Sequence, residues 1–197
     1  MNKEKAYQIL ASEILKCQRC RLCETAIQSV VGDGSLNSQI IFIGEAPGKN
    51  EDEQGKPFVG RAGKLLNSLI EDLGMKREDV WIGNIIKHRP PKNRDPKPDE
   101  IAACQDFLTK QIEIINPLII ITLGRFSFNY FVPDGKITSE RGKLIDIGNY
   151  KVFPVYHPAA ALRNKKFLNT LKDDFSKLSE IIKELKWLGF LKTRIKH

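Results

Sequence analysis

Apolar residues recur every three or four positions over residues 3–16, where Ala6, Ile9, Leu10, Ile14 and Leu15 share one helical face, so the chain is expected to open with an amphipathic helix. Residues 39–44, QIIFIG, are an apolar run too short for a helix and read as a strand buried on both faces. Helical spacing returns over 61–73 through Leu65, Leu66, Leu69 and Ile70, and Gly74 supplies the stop. The alternation then repeats. Residues 80–87 are strand-like, 99–115 helical with Asp99 as the expected N-cap, and 117–123 and 150–156 are further strands. A last helix over 164–188 carries Phe167, Leu168, Leu171, Phe175, Leu178, Ile181, Ile182 and Leu185 on its inner face. Strands alternating with helices predict an α/β fold, a parallel sheet covered on both sides in three α/β/α layers. Ligands of such sheets sit beyond the carboxyl ends of the strands. Two segments are expected there, GEAPG at 44–48 and HPAA at 157–160, with Asn84 as a third candidate inside the second strand.

Composition narrows this picture. With 197 residues and 41% hydrophobic content, the chain suits one domain spanning 1–197. Its most apolar segment, 112–123, is interrupted by Glu113, Asn116 and Pro117, so we expect a soluble, cytoplasmic protein with no membrane span. The net charge of +8 favours a polyanionic partner, because Lys and Arg gain affinity by releasing counterions from phosphates. Residues 89–98 form a Pro-rich loop long enough to suggest function. Cys17, Cys20 and Cys23 are separated by two residues each and Cys104 lies far downstream, a disposition common for iron–sulfur clusters. Zinc is the competing reading, but structural zinc more often pairs two short knuckles, and the downstream half offers only His88 and Cys104.

Several blocks in order carry a resemblance. GEAPG at 44–48, ED at 51–52, PFVGRAG at 57–63, NIIKHRPPKNR at 84–94 and HPAAALR at 157–163 resemble the family 4 uracil-DNA glycosylases, the iron–sulfur class found in thermophiles, with the match covering 17–163. The resemblance implies a central four-stranded parallel sheet with a DNA groove across its strand ends. It implies a monofunctional DNA-repair enzyme, a monomer in a prokaryotic cytoplasm, that hydrolyses the N-glycosidic bond of uracil in single- or double-stranded DNA. Gly44 and Ala46 would line the base pocket, Phe58 would stack on uracil, Asn84 would read its edge, and His157 would bond its O2. Glu45 and Glu51 would be the acidic residues of the catalytic turn; Leu162 would wedge into the gap left by the flipped nucleotide, while Arg163, Lys92 and Arg94 met phosphates. A related glycosylase family has an aspartate where this chain has Ala46, so the water-orienting carboxylate is Glu45 or Glu51, with Glu45 favoured by its place at a strand end. The resemblance also implies a structural 4Fe-4S cluster in an N-terminal iron–sulfur loop, held by Cys17, Cys20, the residue at position 88 and Cys104. Position 88 is a cysteine in the family and a histidine here. Imidazole replaces thiolate in Rieske centres, so His88 is the expected fourth ligand and Cys23 its alternative.

The chemistry is coherent. An asparagine amide can donate to uracil O4 and accept from N3–H, a pattern that cytosine reverses at both atoms. Whether His157 acts as a neutral donor or an imidazolium is not fixed by sequence. Taken singly, Phe58 suits a core, Asn84 a satisfied buried amide and His157 a turn. Two other classes compete: a uracil-DNA binding protein with little turnover, and an iron–sulfur DNA-associated accessory protein. Relatives that trap DNA covalently carry a His-containing insertion after the second block, whereas residues 92–98 hold no histidine. The tail ELKWLGFL, 184–191, is a helix end or a segment for a sliding clamp.

Overall fold

The computed structural model describes residues 2–189, so Phe190 and Leu191 of the clamp candidate lie outside the described residues. The chain runs α1 (Lys3–Leu15), β1 (Asp33–Gly34), β2 (Ile40–Gly44), α2 (Lys49–Gln54), α3 (Arg61–Asp72), β3 (Trp81–Asn84), α4 (Pro98–Ile115), β4 (Ile119–Leu123), α5 (Arg125–Phe131), α6 (Ile137–Glu140), β5 (Ile145–Asp146), β6 (Lys151–Val155), α7 (Pro158–Ala161) and α8 (Lys165–Trp187). The strands form one sheet in the order β1-β3-β2-β4-β6-β5. Its four inner strands are parallel, as expected. The sheet is nevertheless six-stranded, because β1 and β5 add antiparallel edges of two residues each. Strands that short carry no readable alternation, and they close the sheet edges against further pairing.

Successive side chains of a strand point to opposite faces, and both faces are covered. Ile40 and Phe42 of β2 join Ile82, Ile121 and Phe153 beneath Leu66, Leu69 and Ile70 of α3 and Leu171, Phe175 and Leu178 of α8. Ile41 and Ile43 join Trp81, Ile120 and Val152 beneath Leu108, Ile112 and Ile115 of α4 and Phe128 of α5. Helix α1 packs outside α4 through Leu10, Ile14 and Phe107. This is the expected three-layer α/β/α arrangement.

Two boundaries differ from expectation. Helix α4 begins at Pro98, so Lys97 and not Asp99 is the N-cap, and the Glu100 carboxylate accepts the Lys97 N–H at 2.8 Å. Proline suits the first helical position because it brings a preset φ and has no N–H to leave unpaired there. The second strand stops at Asn84, although the apolar run continues to residue 86. Beyond it, the N–H groups of Ile85 and Ile86 donate to Gly44 and Glu45, and the Lys87 ammonium takes the Asn84 carbonyl, which turns the chain. Asn84 thus sits at the strand end. Among the described residues no helix is long and apolar enough to cross a membrane.

Candidate functional site

A cleft of about 640 Å³ opens beyond the carboxyl ends of β2, β3 and β6, and Glu45, Ala46, Phe58, Asn84 and His157 line it. That volume falls within the roughly 300–1,000 Å³ range of small-molecule sites. Gly44 lies beneath the cleft and acts as a spacer. A Cβ there would meet Asn84 Oδ1 at 2.5 Å and Phe58 Cζ at 2.7 Å, so only glycine lets these two side chains approach. Phe58 has a φ of 54°, a left-handed conformation that costs a non-glycine residue roughly 1–3 kcal/mol. Gly63 of α3 makes that backbone fit possible, because a Cβ there would lie 1.7 Å from the Phe58 carbonyl oxygen. The Phe58 ring stacks on His157, with centroids 5.7 Å apart and planes 28° from parallel. Asn84 is 2% exposed, and its Oδ1 has no hydrogen-bond partner. An unpaired buried acceptor costs about 1–3 kcal/mol. The free protein therefore holds both a strained aromatic and an unsatisfied amide in one cleft.

The two candidate carboxylates have different surroundings. Glu51 Oε1 accepts the N–H groups of Val59 and Gly60, each at 3.0 Å, and its Oε2 accepts that of Gly48 at 3.1 Å. These bonds use three of roughly four acceptor positions on a carboxylate, so Glu51 clamps the turn and has little capacity left for a water. The Glu45 carboxylate makes no hydrogen bond with a described residue and faces the cleft. Burial pushes it up to about 7, helped by Asp95 and opposed by Arg125. His157 precedes α7 as its N-cap, and the Ala159 N–H donates to its Nδ1 at 3.1 Å. Desolvation pushes its imidazole down to about 4, with Glu51 opposing and Arg163 reinforcing the shift. The ring is therefore neutral near pH 7, and since Nδ1 accepts, the proton resides on Nε2.

The candidate DNA-contacting residues divide. Leu162 is 39% exposed at the end of α7, and the neighbouring Arg163 is exposed and lines the cleft. Lys92 is exposed on the adjoining loop, with a φ of 55°. Arg94 lines the cleft and is also tied to the fold. Its guanidinium grips Glu100 through two bonds of 2.6 and 2.8 Å and so straps the loop to α4. Sequence reasoning passed over Asp95 and Arg125, which stand 3.6 Å apart and together set the charge environment of Glu45. Neither stands out by type or spacing; only the fold brings them within electrostatic reach of Glu45.

A second cleft, of about 260 Å³, is lined by Cys17, Cys23, Ser29 and His88. Cys20 lies within electrostatic reach of Cys17 and Cys23, and Cys104 within reach of Cys20 and Cys17. All four cysteines are free thiols. Cys17 already accepts the Arg19 N–H at 3.5 Å, and the backbone N–H groups of Leu22 and Lys87 lower the pKa of Cys20 and Cys104 against the rise from burial. The Ser29 hydroxyl, buried and unpartnered, lines the same cleft. His88 is 6% exposed, and burial, opposed by Asp52, lowers its pKa, leaving a neutral imidazole. Among the described residues no three such side chains are gathered closely enough to hold a single metal ion. A cluster of several irons spreads its ligands wider, and thiolates with N–H···S bonds are the donor set it takes, so these residues fit it.

The profile of the Uracil DNA glycosylase superfamily matches residues 31–186. A type-4 uracil-DNA glycosylase of Saccharolobus solfataricus is 51% identical over 184 residues, covering 88% of this chain and 85% of its own. That of Sulfurisphaera tokodaii is 46% identical, covering 87% and 83%. That of Thermotoga maritima is 45% identical, covering 92% and 97%.

Proposed function

The chain belongs to the uracil DNA glycosylase superfamily and, within it, to the type-4 uracil-DNA glycosylases, and from that premise we propose that it flips uracil out of DNA and hydrolyses the N-glycosidic bond to leave an abasic site. The observation that carries the reading is the buried, unpartnered Asn84 Oδ1 beside the stacked Phe58 and His157. Its missing partner is the N3–H of uracil, while the amide nitrogen donates to O4. Extruding a base from the duplex costs a few kcal/mol, and stacking on Phe58 returns about 1–3 kcal/mol.

As the bond breaks, the sugar gains oxocarbenium character and the leaving base gathers negative charge at O2. The neutral Nε2–H of His157 donates to that oxygen, an interaction stronger in the transition state than in the ground state. Glu45, in its ionised form, orients the attacking water and opposes the charge on the sugar. Glu51 is a positioning residue that holds the turn from which Glu45 projects. Arg163 and Lys92 meet phosphates, and Leu162 enters the gap left by the flipped nucleotide.

A 4Fe-4S cluster would sit beside the second cleft, which Cys17 and His88 line, with Cys20 and Cys104, both within electrostatic reach of Cys17, completing its ligands. The near-complete burial of His88 supports it as the fourth ligand; Cys23 lines the same cleft and, like Cys20, is half-exposed at the turn Arg21–Glu24. The cluster supplies structure, tying the N-terminal loop to α4.

Two expected results test the active site. With the Glu45 carboxyl near 7, uracil release rises as pH rises through about 7, because the ionised form works; Glu45→Gln releases uracil slowly and loses that limb. Wild-type protein that released no uracil from single- or double-stranded DNA would overturn the function, and an unchanged Glu45→Gln profile would overturn the role. Asn84→Asp lowers uracil release about ten- to a hundredfold and makes cytosine release detectable, since a protonated carboxyl can donate to cytosine N3 and accept from N4. Competition between uracil- and cytosine-containing oligonucleotides measures it, and unchanged discrimination removes Asn84 from base reading.

A further inference from the structure

Lys87 is the one lysine whose side chain is completely buried among the described residues, at 0% exposure. Its ammonium donates to the Asn84 carbonyl at 2.9 Å and to Gln111 Oε1 at 2.7 Å, and no carboxylate of the described residues pairs with it. Such a charge is costly to bury, and its neutral partners offset only part of that cost. The remaining electrostatic partner is Cys104 of α4, whose thiol burial pushes up while the Lys87 backbone N–H and ammonium pull it down. The scaffold around the ammonium is fixed from three directions. Gln111 Nε2 donates to the Val31 carbonyl at 2.7 Å and to the Tyr7 hydroxyl at 3.3 Å, and that hydroxyl accepts the Trp81 indole N–H at 3.0 Å. One residue thus bonds to the strand end that presents Asn84 to the first cleft and interacts electrostatically with Cys104, a cluster ligand proposed beside the second.

We propose that Lys87 is a positioning residue that couples the two sites: its ammonium fixes the backbone of Asn84 for base reading, and its charge compensates the thiolate of Cys104. The inference rests on the reading of both clefts under Proposed function. A fixed positive charge beside the cluster favours its reduced, more negative form. Removing the charge therefore moves the potential of its one-electron reduction in the negative direction. Losing the hold on Asn84 weakens uracil binding more than it slows bond cleavage, so KM rises more than kcat falls.

Two variants separate charge from hydrogen bonding. Lys87→Gln keeps a donor without charge, and Lys87→Met has neither. Potentials of the purified, cluster-containing proteins are measured with an external chemical reductant, and kcat and KM on a uracil-containing oligonucleotide. We expect a more negative potential in both variants and a KM raised about tenfold in Lys87→Met, less in Lys87→Gln. Potentials and KM values equal to wild type in both overturn the proposal. Should neither variant hold its cluster, the wild-type protein decides: saturation with free uracil, an uncharged ligand that engages Asn84, shifts the potential if the sites are coupled and leaves it unmoved if they are not. Wild-type protein that holds a cluster yet releases no uracil overturns the functional reading instead, so the two failures are distinct.

Discussion

Replacing His157 with alanine lowers uracil release about a hundred- to a thousandfold, in kcat more than in KM. The imidazole is neutral because desolvation holds it at about 4, and the Ala159 N–H on Nδ1 leaves Nε2 as the donor toward the cleft. In the proposed mechanism that donor acts on charge that appears only as the base leaves, so its loss is felt in the transition state. Alanine also removes an N-cap, worth about 1 kcal/mol, so His157→Asn is the companion variant. Asparagine can still cap α7 but does not place a donor where Nε2 stood, and its activity falls alongside that of the alanine variant while its melting temperature stays near wild type. A substrate carrying 5-fluorouracil, whose anion is more stable, narrows the deficit of both variants. Equal deficits for uracil and 5-fluorouracil would sink the assignment of His157 to the leaving group.

Loss of the cluster is the second large effect. His88→Ala and Cys104→Ala proteins are expected to retain almost no iron, to lack the visible charge-transfer band and to melt well below wild type. Cys23→Ala keeps all three properties. Binding a group of this kind is coupled to folding, because the ligands proposed for it come from segments that meet only in the native state: the loop after α1, the end of the β3 block and α4. Serine at position 88 serves as a second variant that fills part of the space without ligating as imidazole does. A His88→Ala protein with full iron content, together with iron lost in Cys23→Ala, would transfer the fourth position to Cys23.

These two sites differ in how much of them local sequence announced. The cysteine spacing was visible because Cys17, Cys20 and Cys23 are close in the chain, but the approach of Cys104 depends on where α4 packs and that of His88 on the turn that follows β3. The cleft residues were visible as ordered blocks, while their roles were not. Glu45 and Glu51 look alike in sequence. In the fold Glu51 accepts three backbone N–H groups, and Glu45 is left facing the cleft.

By itself the sequence determined the layered α/β class, the four parallel strands and, to within a residue or so, the limits of the four long helices α1, α3, α4 and α8, but not the short helices α2, α5, α6 and α7. Apolar periodicity is a property of residues within one or two turns of each other, and the buried run of β2 or the inner face of α8 reads directly from it. Only the tertiary structure decided the two edge strands, the Arg94–Glu100 strap, the Nε2–H form of His157 and the burial of Lys87 between Asn84 and Cys104. Each of these depends on which groups remain to satisfy a hydrogen bond or a charge once the layers have packed. The partner of a buried polar atom is set by the fold around it, as the unpaired Oδ1 of Asn84 shows most directly.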